Sequence, residues 1–300
     1  MTATEAPVAD AFADPGEADR PQWVADENGV LRDRWERPGI LLNGKRRAYT
    51  RISTVAKLLD DTWTLTKWQM RGVLLGTLAD PRILQAAATL DETDRAELDE
   101  LCAAAREAAG QNIRRELGTW RHALSERLDL GTLGREEFEA LDDHDQSWLM
   151  TYWRLGQAAG FRHVYREVFV VNDRRGHAGT TDSLVTAEHC RMLHVVDLKS
   201  GRTADFSILN WTTQVADYAE GVLYDVETDE RPVSLTICQE VGYIMHVPDP
   251  DDEAEATVFA LDLKVGRAAL DLAAKVRDAR NWGKRRGSKR IVVTLGEVTS

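Results

Sequence analysis

Two aspartates and a lysine are the residues of this 300-residue chain best placed to do chemistry. Asp182 closes the run Gly179-Thr180-Thr181-Asp182. Asp197 and Lys199 lie in Val195-Val196-Asp197-Leu198-Lys199-Ser200-Gly201. Both runs read as short strands. A hairpin with its turn centred on His189-Cys190 sets Asp182 opposite Asp197, on one face of the ladder, with β-carbons ~5 Å apart. Lys199 lies two residues past Asp197 and shares that face, because strand side chains alternate with period two. Facing carboxylates repel unless something positive sits between them. A divalent cation beside an ammonium makes the placement tolerable, and hard oxygen ligands select magnesium or manganese. Such a cation polarises a phosphoryl oxygen and lowers the pKa of a bound water, while Lys199 orients that water or stabilises the growing charge. This is equipment for phosphodiester hydrolysis. Glu167, on the preceding strand-like run, projects to the same face if its strand pairs with the one bearing Asp182. Asp-x-Lys alone is a common tripeptide; the opposed Gly-x-x-Asp gives it weight.

The elements that must position these groups change character near Gly160. Upstream, Asn43-Gly44 between apolar residues signals a hairpin, and Ser53 reads as the cap of a first helix. A mostly helical region then runs to about Gly160, punctuated by Pro81, Gly110 and Gly131 to Gly134. Asp94 to Ala109 and Asp145 to Ala159 are its strongest helices. Downstream, Val164 to Val171, Thr180 to Thr186, Leu193 to Leu198, Val233 to Cys238, Tyr243 to Val247 and Thr257 to Leu261 read as strands. Ile208 to Val222 and Val265 to Trp282 read as helices, and Ile291 to Leu295 as a last strand. The fold class expected is α+β. Residues 1–22 are expected to form a disordered acidic tail, 23–160 a mainly helical region that carries His122, and 161–300 an α/β core with a basic end.

Composition narrows the class. Hydrophobic residues make up 43% of the chain and charged residues 29%, a soluble globular balance. No apolar run approaches the ~20 residues of a membrane span, and the first residues lack a signal-peptide pattern, so a cytoplasmic location is expected. The three cysteines, Cys102, Cys190 and Cys238, form no CxxC pair, which leaves zinc and iron–sulfur ligation unsupported. The net charge of −12 argues against a general nucleic-acid coat, but distribution decides binding. Bases gather between Lys275 and Arg290. Within that stretch Lys284, Arg285, Arg286, Lys289 and Arg290 are candidates to track phosphates.

Gly179-Thr180-Thr181-Asp182, Val196-Asp197-Leu198-Lys199-Ser200-Gly201 and Gln214-x-x-x-Tyr218 together resemble the PD-(D/E)XK nuclease superfamily. More narrowly they resemble its RecB-like exonuclease branch, which includes CRISPR-associated and phage-encoded members. Gly118-Thr119-Trp120-Arg121-His122-Ala123-Leu124-Ser125-Glu126 is similar to an upstream helical motif of that branch, and Ile52-Ser53-Thr54-Val55 with Trp68 to its N-terminal segment. Ser200 stands where threonine is common. The resemblance implies a restriction-endonuclease-like core, a mixed central sheet flanked by helices. It implies His122, Asp182, Asp197 and the carbonyl of Leu198 as metal ligands and Lys199 as the catalytic lysine. Gln214 and Tyr218, one helical turn apart, would hold Lys199 or touch the DNA backbone. Four cysteines clamp an iron–sulfur cluster in many CRISPR-associated members. With three unsuited cysteines this chain should lack one, which favours a phage or bacterial recombination nuclease. A single-strand annealing protein is the partner implied, and the bacterial host cytoplasm the location if the chain is phage-encoded.

The expectation is thus a Mg2+- or Mn2+-dependent DNA exonuclease. A catalytically inactive nucleic-acid-binding module that keeps the fold, or a scaffolding protein using the acidic tail, is the alternative.

Overall fold

The computed structural model describes residues 23–285, apart from 189, 203–207 and 233–234. The expected tail (1–22) and the expected last strand (291–295) lie outside the described residues. Two small sheets open the chain: β1 (Val24–Ala25) with β2 (Leu31–Arg32), and β3 (Gly39–Leu42) with β4 (Lys45–Ala48). The second is the hairpin expected from Asn43-Gly44. Both residues take positive φ, 52° and 73°, as a type I′ turn requires.

β5 (Thr50–Arg51) leads into seven helices: α1 (Ile52–Ala56), α2 (Trp63–Ala79), α3 (Pro81–Ala87), α4 (Arg95–Ala108), α5 (Ile113–Asp129), α6 (Arg135–Glu139) and α7 (Asp143–Ala158). Ser53 does not cap the first of them. Arg51 holds that position, and burial of Ile52 in the core draws the helix start upstream. Asp80 caps α3 by accepting the Arg82 N–H, with Pro81 in the first turn. Asp142 caps α7 in the same way through the Asp145 N–H.

The remaining elements are β6 (Phe161–Asn172), β7 (His177–Ala187), β8 (Cys190–Lys199), α8 (Ile208–Glu220), β9 (Val222–Leu223), β10 (Val241–His246), β11 (Thr257–Asp262) and α9 (Leu263–Arg285). The chain is α+β. Seven strands form one mixed sheet in the order β11–β10–β8–β7–β6–β9, with β5 added alongside β7. β10 runs parallel to β8 and β5 to β7; the other pairs are antiparallel. No strand forms over Val233–Cys238 among the described residues. Thr236 and Cys238 bond the backbone of Leu193 instead, giving an isolated bridge that lays Ile237 on the core.

Helices cover both faces of the sheet. On one, α1, α8 and α9 bring Ile52, Val215, Tyr218 and Leu270 onto Leu184, Val195 and Ile244. On the other, α5 and α7 bring Leu124, Trp148, Leu149 and Tyr152 onto Val185, Val196, Leu198 and Met245. Successive residues of β7 and β8 therefore enter opposite cores, as the pleat requires. Both cores join residues from before and after Gly160. Among the described residues no helix is long and apolar enough to cross a membrane.

α2 stands apart from both cores and packs on α4. A β-carbon at Gly76 would lie 1.7 Å from the Ala105 carbonyl oxygen. Gly76→Ala is expected to push the helices apart and cost about 1–3 kcal/mol, read as a lower urea midpoint by circular dichroism. An unmoved midpoint would show that this close approach does not hold α2.

Candidate metal centre

The body of the β7–β8 hairpin has the expected register: Ser183 pairs with Val196, Leu184 with Val195, Val185 with His194 and Thr186 with Leu193. Its end differs. An irregularity after Thr186 lets Ala187 pair with Cys190, so the turn lies one residue earlier than His189-Cys190 and Arg191 and Met192 are taken up on β8. Apolar alternation fixes the register of the body, and the turn adapts to it. One step beyond Ser183 and Val196 stand Asp182 and Asp197, and there the ladder stops. β7 continues to His177 and takes β5 on the vacated edge, at His177 and Ala178. In place of a ladder bond, Asp182 Oδ2 accepts the Leu198 N–H at 2.6 Å. The two aspartates thus stand where two strands fork. Each shares a face with the residue two positions along, Leu184 and Val195, and these lie in one core.

Two further elements reach the fork. Glu167 falls between the pairs Arg166–Ser183 and Val168–Thr181 of β6 and β7, beside Asp182. Its φ is 46°, a left-handed conformation that costs a non-glycine residue about 1–3 kcal/mol. α5 brings His122. This helix rests on the loop after Lys199, since a β-carbon at Gly118 would lie 3.2 Å from Ser200 Oγ. Arg121, almost wholly buried, anchors it through Nη2 to Asp249 at 2.9 Å. One donor atom from each of His122, Glu167 and Asp182 lies within 4.8 Å of the others, and His122 Nδ1 is 3.6 Å from Asp182 Oδ2. A second group of the same kind, His144, Asp249 and Asp251, already has the Arg121 guanidinium against it.

Asp197 lies deeper, 1% exposed, and is not one of the three. Lys199 Nζ forms an ion pair with its Oδ2. Gln214 Nε2 donates to its Oδ1 at 3.3 Å and lies 3.4 Å from the Tyr218 hydroxyl. That hydroxyl donates to the Thr180 carbonyl at 2.6 Å. Gln214 therefore engages Asp197 rather than Lys199, and Tyr218, 3% exposed, is too deep to touch a DNA backbone. It locks α8 to β7 over Gly179, where a β-carbon would come within 3.2 Å of the hydroxyl oxygen. The Gly-x-x-Asp and Gln-x-x-x-Tyr spacings are two sides of one contact. The Lys199 carbonyl accepts the Val247 N–H on the β10 side, so alternation turns the backbone groups of Leu198 toward the forked edge.

Burial and crowding shift the titration of these groups. Burial raises the Asp197 carboxyl, Lys199 opposes the rise, and Asp182 adds to it. Burial alone would lower the Lys199 ammonium, but Asp197 and Asp182 outweigh it and hold its pKa above the ordinary value. Glu167 is pushed up to about 7 by burial and then by Asp182, Glu126 and Asp197, against a downward pull from Arg166. A carboxyl that keeps its proton in the folded chain, but would lose it near 4.5 when unfolded, destabilises the fold as pH rises between those values. The melting temperature of the metal-free protein is therefore expected to fall from pH 5 to pH 8, and millimolar manganese to reverse the fall. A melting temperature that manganese does not raise at pH 8 would contradict a cation role for these carboxylates.

Of the basic residues expected to track phosphates, Lys284 and Arg285 end α9, while Arg286, Lys289 and Arg290 lie outside the described residues. The proximity of Glu167 to His122 and Asp182 had one sequence signal, its place on the strand before Asp182. Its left-handed backbone had none, because glutamate is not a residue that announces such a conformation. No protein-family model and no curated protein sequence matches the chain.

Proposed function

We propose that the chain is a metal-dependent deoxyribonuclease: a DNA exonuclease with a restriction-endonuclease-like core of the PD-(D/E)XK type and RecB-like motif order. One observation carries this. His122 from α5, Glu167 from β6, Asp182 from β7, Asp197 and Lys199 from β8, and Gln214 and Tyr218 from α8 meet around one fork in the sheet. A structural role for any one of them would not require the others.

The donors suit a hard divalent cation. Two carboxylates and an imidazole face one another, and among the described residues no lysine or arginine forms an ion pair with Glu167 or Asp182. His122, Glu167 and Asp182 would hold magnesium or manganese, with the Leu198 carbonyl on the same edge and Asp197 behind. When bound, the cation supplies a polarised phosphoryl oxygen and a water acidified toward neutrality. Lys199 is a poor general base at neutral pH, because its neighbours keep it charged. Its ammonium serves instead to stabilise negative charge on the phosphate and to orient the attacking water. Asp197 keeps that ammonium in place, and Gln214 fixes the carboxylate. A role in phage or bacterial recombination, with a single-strand annealing partner, rests on analogy with the branch its motifs resemble.

End-labelled linear DNA incubated with magnesium, manganese or chelator tests this reading. Label should be released progressively with either metal and not with chelator, and a covalently closed circle should survive. Linear DNA left intact in both metals would overturn the proposal.

A further inference from the structure

Arg166 is a buried cation beside the candidate metal centre, its side chain 5% exposed. It stands on β6 immediately before Glu167 and pairs with Ser183 of β7. Its Nε lies 3.4 Å from Asp129 Oδ2, and its Nη2 donates to Ser125 Oγ at 3.3 Å. Both partners belong to α5, the helix that carries His122. Ser125 Oγ in turn donates to the His122 carbonyl at 2.8 Å. His122, Ser125 and Asp129 follow one another at intervals of three and four residues, so they share one face of the helix. Arg166 therefore grips α5 within about two turns of His122, while the next residue on its own strand is Glu167.

The grip is itself well supported. Asp129 also accepts the Tyr152 hydroxyl at 2.5 Å and lies 3.5 Å from His163 Nε2, and His163 Nδ1 is 2.7 Å from Ser183 Oγ. Groups from α7, β6 and β7 thus converge on the last residue of α5. Stability alone does not call for such a pair. Leu124 and Leu128 already seat α5 on the apolar core, and a buried ion pair gains little over apolar residues of the same volume. Asp129 also ends its helix, where the backbone dipole disfavours a carboxylate. What the pair adds is direction. The rigid fork of a guanidinium accepts few placements of Ser125 and Asp129, whereas leucines slide. A fixed placement matters at His122, whose Nδ1 is 3.6 Å from Asp182 Oδ2. It matters equally at Glu167, whose left-handed backbone persists only where its surroundings hold it.

We propose that Arg166 is the positioning residue of the metal centre: anchored on Asp129 and Ser125, it sets His122 of α5 against Glu167 of β6. This role presupposes the metal-dependent function proposed above, so the manganese affinity of the parent chain is measured beside that of the variants. Arg166→Met alone would leave Asp129 a buried, unpaired carboxylate. The pair is therefore exchanged together, as Arg166→Met with Asp129→Asn, and asparagine keeps an acceptor for the Tyr152 hydroxyl. The double variant should bind manganese at least about tenfold more weakly than the parent, and Ser125→Ala about threefold more weakly. Electron spin-echo spectra of the bound Mn2+ should show coupling to an imidazole nitrogen in the parent and none in the double variant, because His122 no longer reaches the cation. Parental affinity or retained nitrogen coupling in the double variant overturns the proposal, even if that variant melts lower, because a purely structural pair would give that result. If the double variant does not fold, Ser125→Ala decides, and parental affinity there overturns the proposal equally. A parent chain that binds no manganese overturns the metal reading itself, and this role with it.

Discussion

Exchanging Asp182 for asparagine is expected to lower metal-dependent cleavage of DNA by ~10³-fold. Asp182 is the centre of the candidate site. It lies beside Glu167 and His122, and its Oδ2 accepts the Leu198 N–H where the strands part. Asparagine keeps the shape and an acceptor oxygen, so the bond to Leu198 and the fork survive. It removes the charge that would draw the cation into the site. The variant should fold, melt at or above the temperature of the parent chain in the absence of metal, and gain little from added manganese. Stability should rise because one of several crowded negative charges is gone, the same charge that helps push Glu167 upward. Cleavage by Asp182→Asn within tenfold of the parent would remove this carboxylate from the chemistry.

The second large effect is at Lys199. Lys199→Met removes the ammonium from Asp197, a carboxylate with 2% of its side chain accessible. Cleavage should fall ~10²–10³-fold, the usual loss when one stabiliser of transition-state charge is removed. Stability at neutral pH should fall as well, by about 2–4 kcal/mol, toward the low end because a quarter of the Lys199 side chain is solvent-accessible. The sign of the pH dependence follows from the carboxyl. Without its partner, Asp197 keeps its proton in the folded chain to a higher pH than in the unfolded chain. The deficit is therefore small in acid and grows as pH rises through neutrality, which urea unfolding at both ends of the range would measure. Lys199→Met with Asp197→Asn should regain most of the stability and none of the activity. If the double variant is no more stable than Lys199→Met, the buried ion pair is not what the lysine maintains.

Much of the fold around these residues is legible in the sequence, and the legible parts have a common physics. The register of the β7–β8 body, which brings Asp182 and Asp197 to the same end of the ladder though not into a pair, follows from apolar alternation, because Leu184 and Val195 must enter one core and Val185 and Val196 the other. Asn43-Gly44 marks its turn because few residues accept two positive φ values in succession. What was not legible depended on long-range packing. Only tertiary contacts end the β7–β8 ladder at Ser183 and give the freed edge to β5. The left-handed backbone of Glu167 breaks a local preference and is held by its surroundings. Val233–Cys238 has strand composition but finds only Leu193 to pair with among the described residues. In α2 the spacing of apolar residues is helical, yet which side faces inward was decided by the small residues Gly72 and Gly76.

Hydrolysis is proposed to depend on one divalent cation held by His122, Glu167 and Asp182. Calorimetric titration of the metal-free chain with manganese at pH 8 tests it most directly. Saturable binding is expected, and it should weaken at least about tenfold in His122→Ala and in Asp182→Asn. Absence of binding at millimolar manganese, or binding that neither substitution weakens, would contradict it.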